Sequence, residues 1–156
     1  TLLGKGDNAF THSESVNISA SQGENISGTA ITDFTATIPS GKTKIFFQGT
    51  TSGTTSGSGG SGRISRNFLR LDGSSINTID NSLGVTNNTY EFYVDMSNRF
   101  LRIYVYNTDG NVISLPIETL AGSSSYTSLV IRCEADGGTS TNGSTSSSVS
   151  GTIYYA

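Results

Sequence analysis

Apolar side chains in this sequence recur at every second residue, and no stretch shows the three-to-four-residue spacing of an amphipathic helix. The clearest case surrounds the stretch 38–49, IPSGKTKIFFQG. Phe34, Ala36 and Ile38 alternate before its Pro-Ser-Gly turn, and Ile45 and Phe47 alternate after it. A period of two buries one face of a strand and leaves the other open. Pro39 presets its own φ and Gly41 tolerates φ > 0, so the turn between the two runs has a mechanism. The expectation is a strongly apolar hairpin that forms the first corner of a β-sandwich.

The same period returns along the chain. Val16 and Ile18 share a face in residues 13–20, and Leu69 and Leu71 do so in residues 66–72. Tyr90, Phe92 and Val94 point one way in residues 89–96, and Leu101, Ile103 and Val105 in residues 99–107. Leu129, Ile131 and Cys133 do so in residues 126–135, and residues 149–155 close the series. Gly28 marks a bulge or bend in the run 26–38. Asp72-Gly73 and Asp109-Gly110 are hairpin turn signals. Residues 50–62 and 136–148, rich in Gly, Ser and Thr, read as surface loops. Residues 117–122 read as a helical turn or a loop. Turns at this spacing predict an all-β fold, an antiparallel β-sandwich or jelly roll of about eight to ten strands. Residues 1–12 read as an extended N-terminal arm and residues 13–156 as a single β-sandwich domain.

Composition narrows the class. Hydrophobic residues make up 33% and charged residues 13% of the chain, and Ser, Thr, Gly and Asn fill the difference. Regular alternation with seven Tyr and seven Phe separates it from a disordered chain. A net charge of −3 gives no basic face, so no nucleic-acid partner is expected. No apolar run reaches membrane-span length, so no membrane insertion is expected. Thr1-Leu2-Leu3-Gly4 carries no basic-then-apolar signal pattern. Cys133 is the one cysteine, which excludes an intramolecular disulfide and a cysteine-only metal site.

Catalytic chemistry needs convergent groups, and the sequence offers isolated ones. His12 is the single histidine and stands in the arm. Glu91 and Asp95 share a strand face, and Asp72 and Asp80 bracket a loop, but most acidic residues stand in or beside turns, where Asp shapes the backbone. Asp109-Gly110-Asn111 and Asp136-Gly137-Gly138 resemble fragments of calcium loops without the further oxygen ligands. Asn17, Asn25, Asn87 and Asn142 open Asn-x-Ser/Thr sequons, which chance supplies freely in this composition. The expectation is no enzyme, no metal and no cofactor.

Two features do suggest contact with other molecules. Phe100, Arg102, Tyr104 and Tyr106 form the outward set of residues 99–107, and Phe46 and Tyr154 add to it. Such a row is buried on both faces, or is a subunit interface, or is a platform for stacking sugar rings. The absence of Trp tilts the choice toward interface. The arm carries Leu2, Leu3 and Phe10 as anchors for docking on a neighbour.

The corner IPSGKTKIFFQGTTSGTTSG resembles a segment of phage tail-fibre and other virion-appendage domains. FLRLDGSS, the middle hairpin YEFYVDMSNRFLRIYVYNTDGN and the ending SYTSLVIRCEADGGTSTNG…SVSGTIYYA are similar to the strands and turns that come after that corner in such domains. The resemblance runs from Phe34 to the end of the sequence, and the missing Trp of the middle hairpin is a departure from it. It implies a β-sandwich on a virion surface, without cofactor, forming a homo-oligomer (a trimer) and contacting other virion proteins. A decoration protein, or a tail-fibre or spike domain, would fit. A host surface glycan is a further candidate partner. The alternatives are a carbohydrate-binding module, or an extracellular filament subunit joined by strand exchange of the arm.

Overall fold

The computed structural model describes residues 12–23, 28–55, 64–72, 74–80, 86–106, 112–114, 117–119, 126–137 and 144–156. For residues 64, 68, 74–80, 86–87, 103–106, 112–114 and 117–119 it describes the backbone alone. These residues form eleven strands: β1 (His12–Gln22), β2 (Thr29–Thr37), β3 (Lys44–Thr55), β4 (Ile64–Leu71), β5 (Ser74–Asp80), β6 (Thr86–Asp95), β7 (Phe100–Tyr106), β8 (Val112–Ser114), β9 (Ile117–Thr119), β10 (Ser128–Asp136) and β11 (Thr145–Tyr155). A seven-stranded sheet has the order β1-β11-β3-β6-β7-β8, with β9 also on β7. A four-stranded sheet has the order β2-β10-β4-β5. Every pairing is antiparallel, and the fold is the expected β-sandwich.

The alternating residues meet between the sheets. Ile45, Phe47, Phe92, Val94, Leu101, Ile153 and Tyr155 come from the large sheet, and Leu69, Leu71, Leu129 and Ile131 from the small one, all fully buried. Phe47 lies at the centre, stacked on Phe92 at 5.1 Å and edge-on to Tyr90 at 5.3 Å between ring centroids. Such pairs contribute about 0.5–1.5 kcal/mol beyond their buried area. The ring fits because Gly49 and Gly151 stand opposite each other on β3 and β11 directly beneath it. A methyl group on either glycine would collide with the other's Cα, with a backbone carbonyl oxygen and with the Phe47 ring.

Farther along the same strands the interior turns polar. Thr51, Ser65, Asn67, Asn88, Thr145 and Ser147 are buried there. Asn67 reaches across the sandwich from β4, its Nδ2 donating to Thr51 Oγ1 on β3. Its Oδ1 accepts from Ser147 Oγ on β11 at 3.0 Å and from Cys133 Sγ on β10 at 3.3 Å. Burial pushes the Cys133 thiol up to about 11, so it stays protonated and inert.

The corner at Ile38 corrects the hairpin expectation. β2 belongs to the small sheet and β3 to the large one, so the two strands never pair. Pro39 to Lys42 make a turn closed by Lys42 N–H donating to Pro39 O at 3.1 Å, with Gly41 at φ 81°. This is the backbone of a type II turn, and here it carries the chain from one layer to the other. The strand expected at residues 26–38 is described from Gly28, whose φ is 100°, and β2 follows it.

Three loop expectations also give way. β3 runs on through Thr50–Thr55 rather than ending at Gly49. β11 starts at Thr145, inside the stretch read as a loop. Residues 117–119 are β9 rather than a helical turn. The first two share a reason: Ser and Thr make serviceable strand residues when their hydroxyls find cross-strand partners. Ser52 and Ser148, and Thr54 and Ser146, do so at 2.6 Å each. The remainder of both loops, the turn at Asp109-Gly110, and Asn25 and Asn142 lie outside the described residues.

Candidate functional site

Because the pleat alternates, the large sheet offers a second, outward face. Its registers align two rows across four strands. One row is Tyr154 on β11, Phe46 on β3, Tyr93 on β6 and Arg102 on β7. The next is Thr152, Gln48, Glu91 and Tyr104. Phe100 pairs with Asp95, which pairs with Lys44, and these extend the patch toward the corner.

Aromatic contacts hold the first row. Phe46 and Tyr154 stack with centroids 6.1 Å apart and planes 28° apart. Tyr93 meets Phe100 at 6.1 Å, tilted by 58°. The Arg102 guanidinium lies over the Phe100 ring, 5.4 Å from its centroid, a cation–π contact. Phe46 is 0% exposed, whereas Tyr93, Phe100, Arg102 and Tyr154 are half-buried. The half-buried rings keep part of their surface available while their positions are fixed by neighbours.

Polar groups are set among these rings. Glu91 is 7% exposed and accepts a hydrogen bond from Gln48 Nε2 at 3.2 Å, and Gln48 is itself exposed. Asp95 is 6% exposed and shapes the turn after β6, accepting from Asn98 N–H at 3.2 Å and from Asn98 Nδ2 at 2.8 Å. Asp95 is thereby committed to the turn, while the exposed Gln48, anchored on the buried Glu91, brings its amide to the patch surface.

Of the residues expected to act, Phe100 and Arg102 are on this face, joined by Phe46 and Tyr154. Tyr104 and Tyr106 pair through the backbone with Glu91 and Thr89, and their side chains lie outside the described residues. Leu2, Leu3 and Phe10 of the arm also lie outside them. Tyr93, Gln48 and Glu91 were missed as members of the patch. Their signal was present, since they share parity with Phe46 and Asp95, but only the strand register shows that they adjoin Phe100 and Arg102. His12 sits at the start of β1, 3.9 Å from Glu14 and beside Tyr155. Among the described residues no three His, Cys, Asp or Glu side chains gather as a metal site would require.

The outward face of the small sheet is built differently. Arg132 binds Asp33 through two nitrogens, at 2.7 and 2.8 Å. Arg66 approaches Glu134 at 3.5 Å. The hydrogen bond from Arg132 holds the Asp33 carboxyl below its ordinary range.

No family model matches the sequence, and no curated protein matches it. Solved structures do share the fold. One is the CBM2 module of the evolved Dit of Lactobacillus casei BL23 phage J-1, at 10% identity, covering 87% of this chain and 75% of that one with a TM-score of 0.53. Another is peanut lectin with a 9mer peptide, at 10% identity, covering 97% of this chain and 94% of that one with a TM-score of 0.56. A third is a sialidase, at 10% identity and a TM-score of 0.53, in which 90% of this chain matches 15% of that one. At this identity the likeness is one of fold.

Proposed function

We propose that this chain is a non-enzymatic β-sandwich module of a phage particle that attaches to a surface glycan through the outward face of its seven-stranded sheet. The observation that carries the reading is the aromatic patch of Tyr154, Tyr93, Phe100 and Arg102 with the Gln48–Glu91 pair set beside it. A sugar presents a flat C–H face and a rim of hydroxyls. A half-buried ring suits the first, and an amide–carboxylate pair suits the second. The phage module and the lectin among the fold neighbours support the choice of glycan over a bare subunit contact. In this reading residues 13–156 are the binding domain, and the arm, with Leu2, Leu3 and Phe10, docks on another virion protein.

The test is a glycan array with the intact chain, followed by titration of the best ligand against Tyr154→Ala and Gln48→Ala. Each substitution should weaken binding about tenfold, the worth of one stacked ring or one well-placed hydrogen bond. An array without a reproducible ligand, or a Tyr154→Ala protein that binds as tightly as the parent, overturns the reading.

A further inference from the structure

The seven-stranded sheet ends on two unlike edges. On one side stand β8 and β9, three residues each, and the β7–β8 register shifts between Val105 and Tyr106. Short, irregular strands are how an edge is closed to further pairing. On the other side stands β1, eleven residues long, matched to β11 by an unbroken register from His12 to Gln22. Beyond β1 there is no further strand among the described residues. It contains no proline, no lysine and no bulge, and Glu14 is its single acidic residue. Of the devices that blunt an edge, the described residues show one, the inward-pointing Glu14, and its carboxylate is already tethered by a hydrogen bond from the Tyr155 hydroxyl at 3.2 Å.

We propose that β1 is an assembly edge whose partner is β1 of a second copy of this chain, joined antiparallel about a two-fold axis at Asn17. In an antiparallel pair, directly opposed residues point to the same face. A register centred on Asn17 uses all eleven residues and keeps inward positions opposite inward positions. Val16 then faces Ile18 of the second copy, Ser15 faces Ser19, Glu14 faces Ala20 and Ser13 faces Ser21. The half-buried Ile18 gains an apolar neighbour, and no like charges are opposed. The outward side offers no obstruction, because Ser13, Ser15, Asn17, Ser19 and Ser21 are small and exposed.

The β2 edge of the other sheet fails the same test. Pairing β2 with its own copy over its full length centres on Asp33, which would place two carboxylates directly opposite each other. The β1 pairing does not depend on the glycan reading. It makes an even-numbered assembly, in contrast to the trimer that the phage resemblance implies.

The experiment is sedimentation equilibrium on the intact chain and two double variants, with glycan binding measured in the same samples. The parent should be a dimer. Ser15→Lys with Ser19→Lys opposes two lysine pairs across the axis and should weaken the dimer at least about tenfold. Ser15→Lys with Ser19→Glu turns both pairs into attractions and should restore the dimer. Both positions are exposed, so circular dichroism should be unchanged in each variant. A monomeric or trimeric parent overturns the inference, as does a Lys/Glu variant no tighter than the Lys/Lys one.

Discussion

Two halves of one interior meet at the glycine pair of β3 and β11. On one side the facing rows read Ile45, Phe47, Val94, Phe92, Ile153 and Tyr155 against Leu69, Leu71, Leu129 and Ile131. On the other they read Thr51, Gly53, Asn88, Thr145, Ser147 and Val149 against Ser65, Asn67, Cys133 and Ala135. The same strands cross both halves, so backbone pairing is common to the two. The difference lies in the side chains that fill the gap. The first half is held by area removed from water and by ring contacts. The second has less apolar area to remove, chiefly Val149, Ala20 and Ala135, and Asn67 ties Thr51, Ser147 and Cys133 together within it. Around it Ser65 Oγ, Asn88 Oδ1 and Thr145 Oγ1 are buried with no hydrogen-bond partner among the described residues, so this half leans on Asn67.

The border is the place where breaking should cost most. Gly151→Ala drives a methyl group into backbone atoms and the Phe47 ring, and neither side can yield without shifting a strand. We expect a loss of about 3 kcal/mol or more, read from the urea midpoint, with Gly49→Ala alike. A variant within about 0.5 kcal/mol of the parent would mean that the ring does not rest on the glycines. Asn67→Ala should cost about 2–3 kcal/mol, because it strands buried hydroxyls and a thiol together. Asn67→Ala with Thr51→Val and Ser147→Ala should recover part of that loss, and failure to recover would show that the polar half is held by something other than this network.

The smallest effect has the opposite sign. Tyr90 belongs to the aromatic half but borders the polar one, and its fully buried hydroxyl meets no hydrogen-bond partner among the described residues. Burial drives its ionisation far above the ordinary tyrosine range. Tyr90→Phe keeps the ring contacts and removes the stranded group, so it should stabilise the protein by about 1 kcal/mol. Thermal unfolding would check this, and a lower midpoint would show that the hydroxyl has a use.

The aromatic half was legible in the sequence, and the polar half was not. Period-two alternation marked Tyr90, Phe92, Val94, Leu129 and Ile131 as inward, and each is buried. Alternation of Thr51 with Ser52, or Ser147 with Ser148, carries no hydrophobic contrast, so the same geometry was read there as loop. The corner at Pro39 was legible as a turn but not as a passage between layers, since turn chemistry fixes local backbone and says nothing of which strand will pair. The outward face was half legible. Phe100 and Arg102 stood out by parity, while Tyr93 and Glu91 joined them only through the β6–β7 register, and Gln48 only through its pairing with Glu91, 43 positions away.

Those registers set a schedule for synthesis. β1 pairs with β11, β2 with β10 and β3 with β11, so His12 waits for Tyr155 and Ala36 for Leu129. Neither sheet can be completed before its late strand, β10 or β11, has been made. Early strands must stay soluble without partners until the last one emerges, and a sheet closed by such distant contacts assembles slowly. The serines and threonines that line β1, β3 and β11 answer this need, because an unpaired strand of hydroxyls tolerates water that an unpaired strand of valines would not.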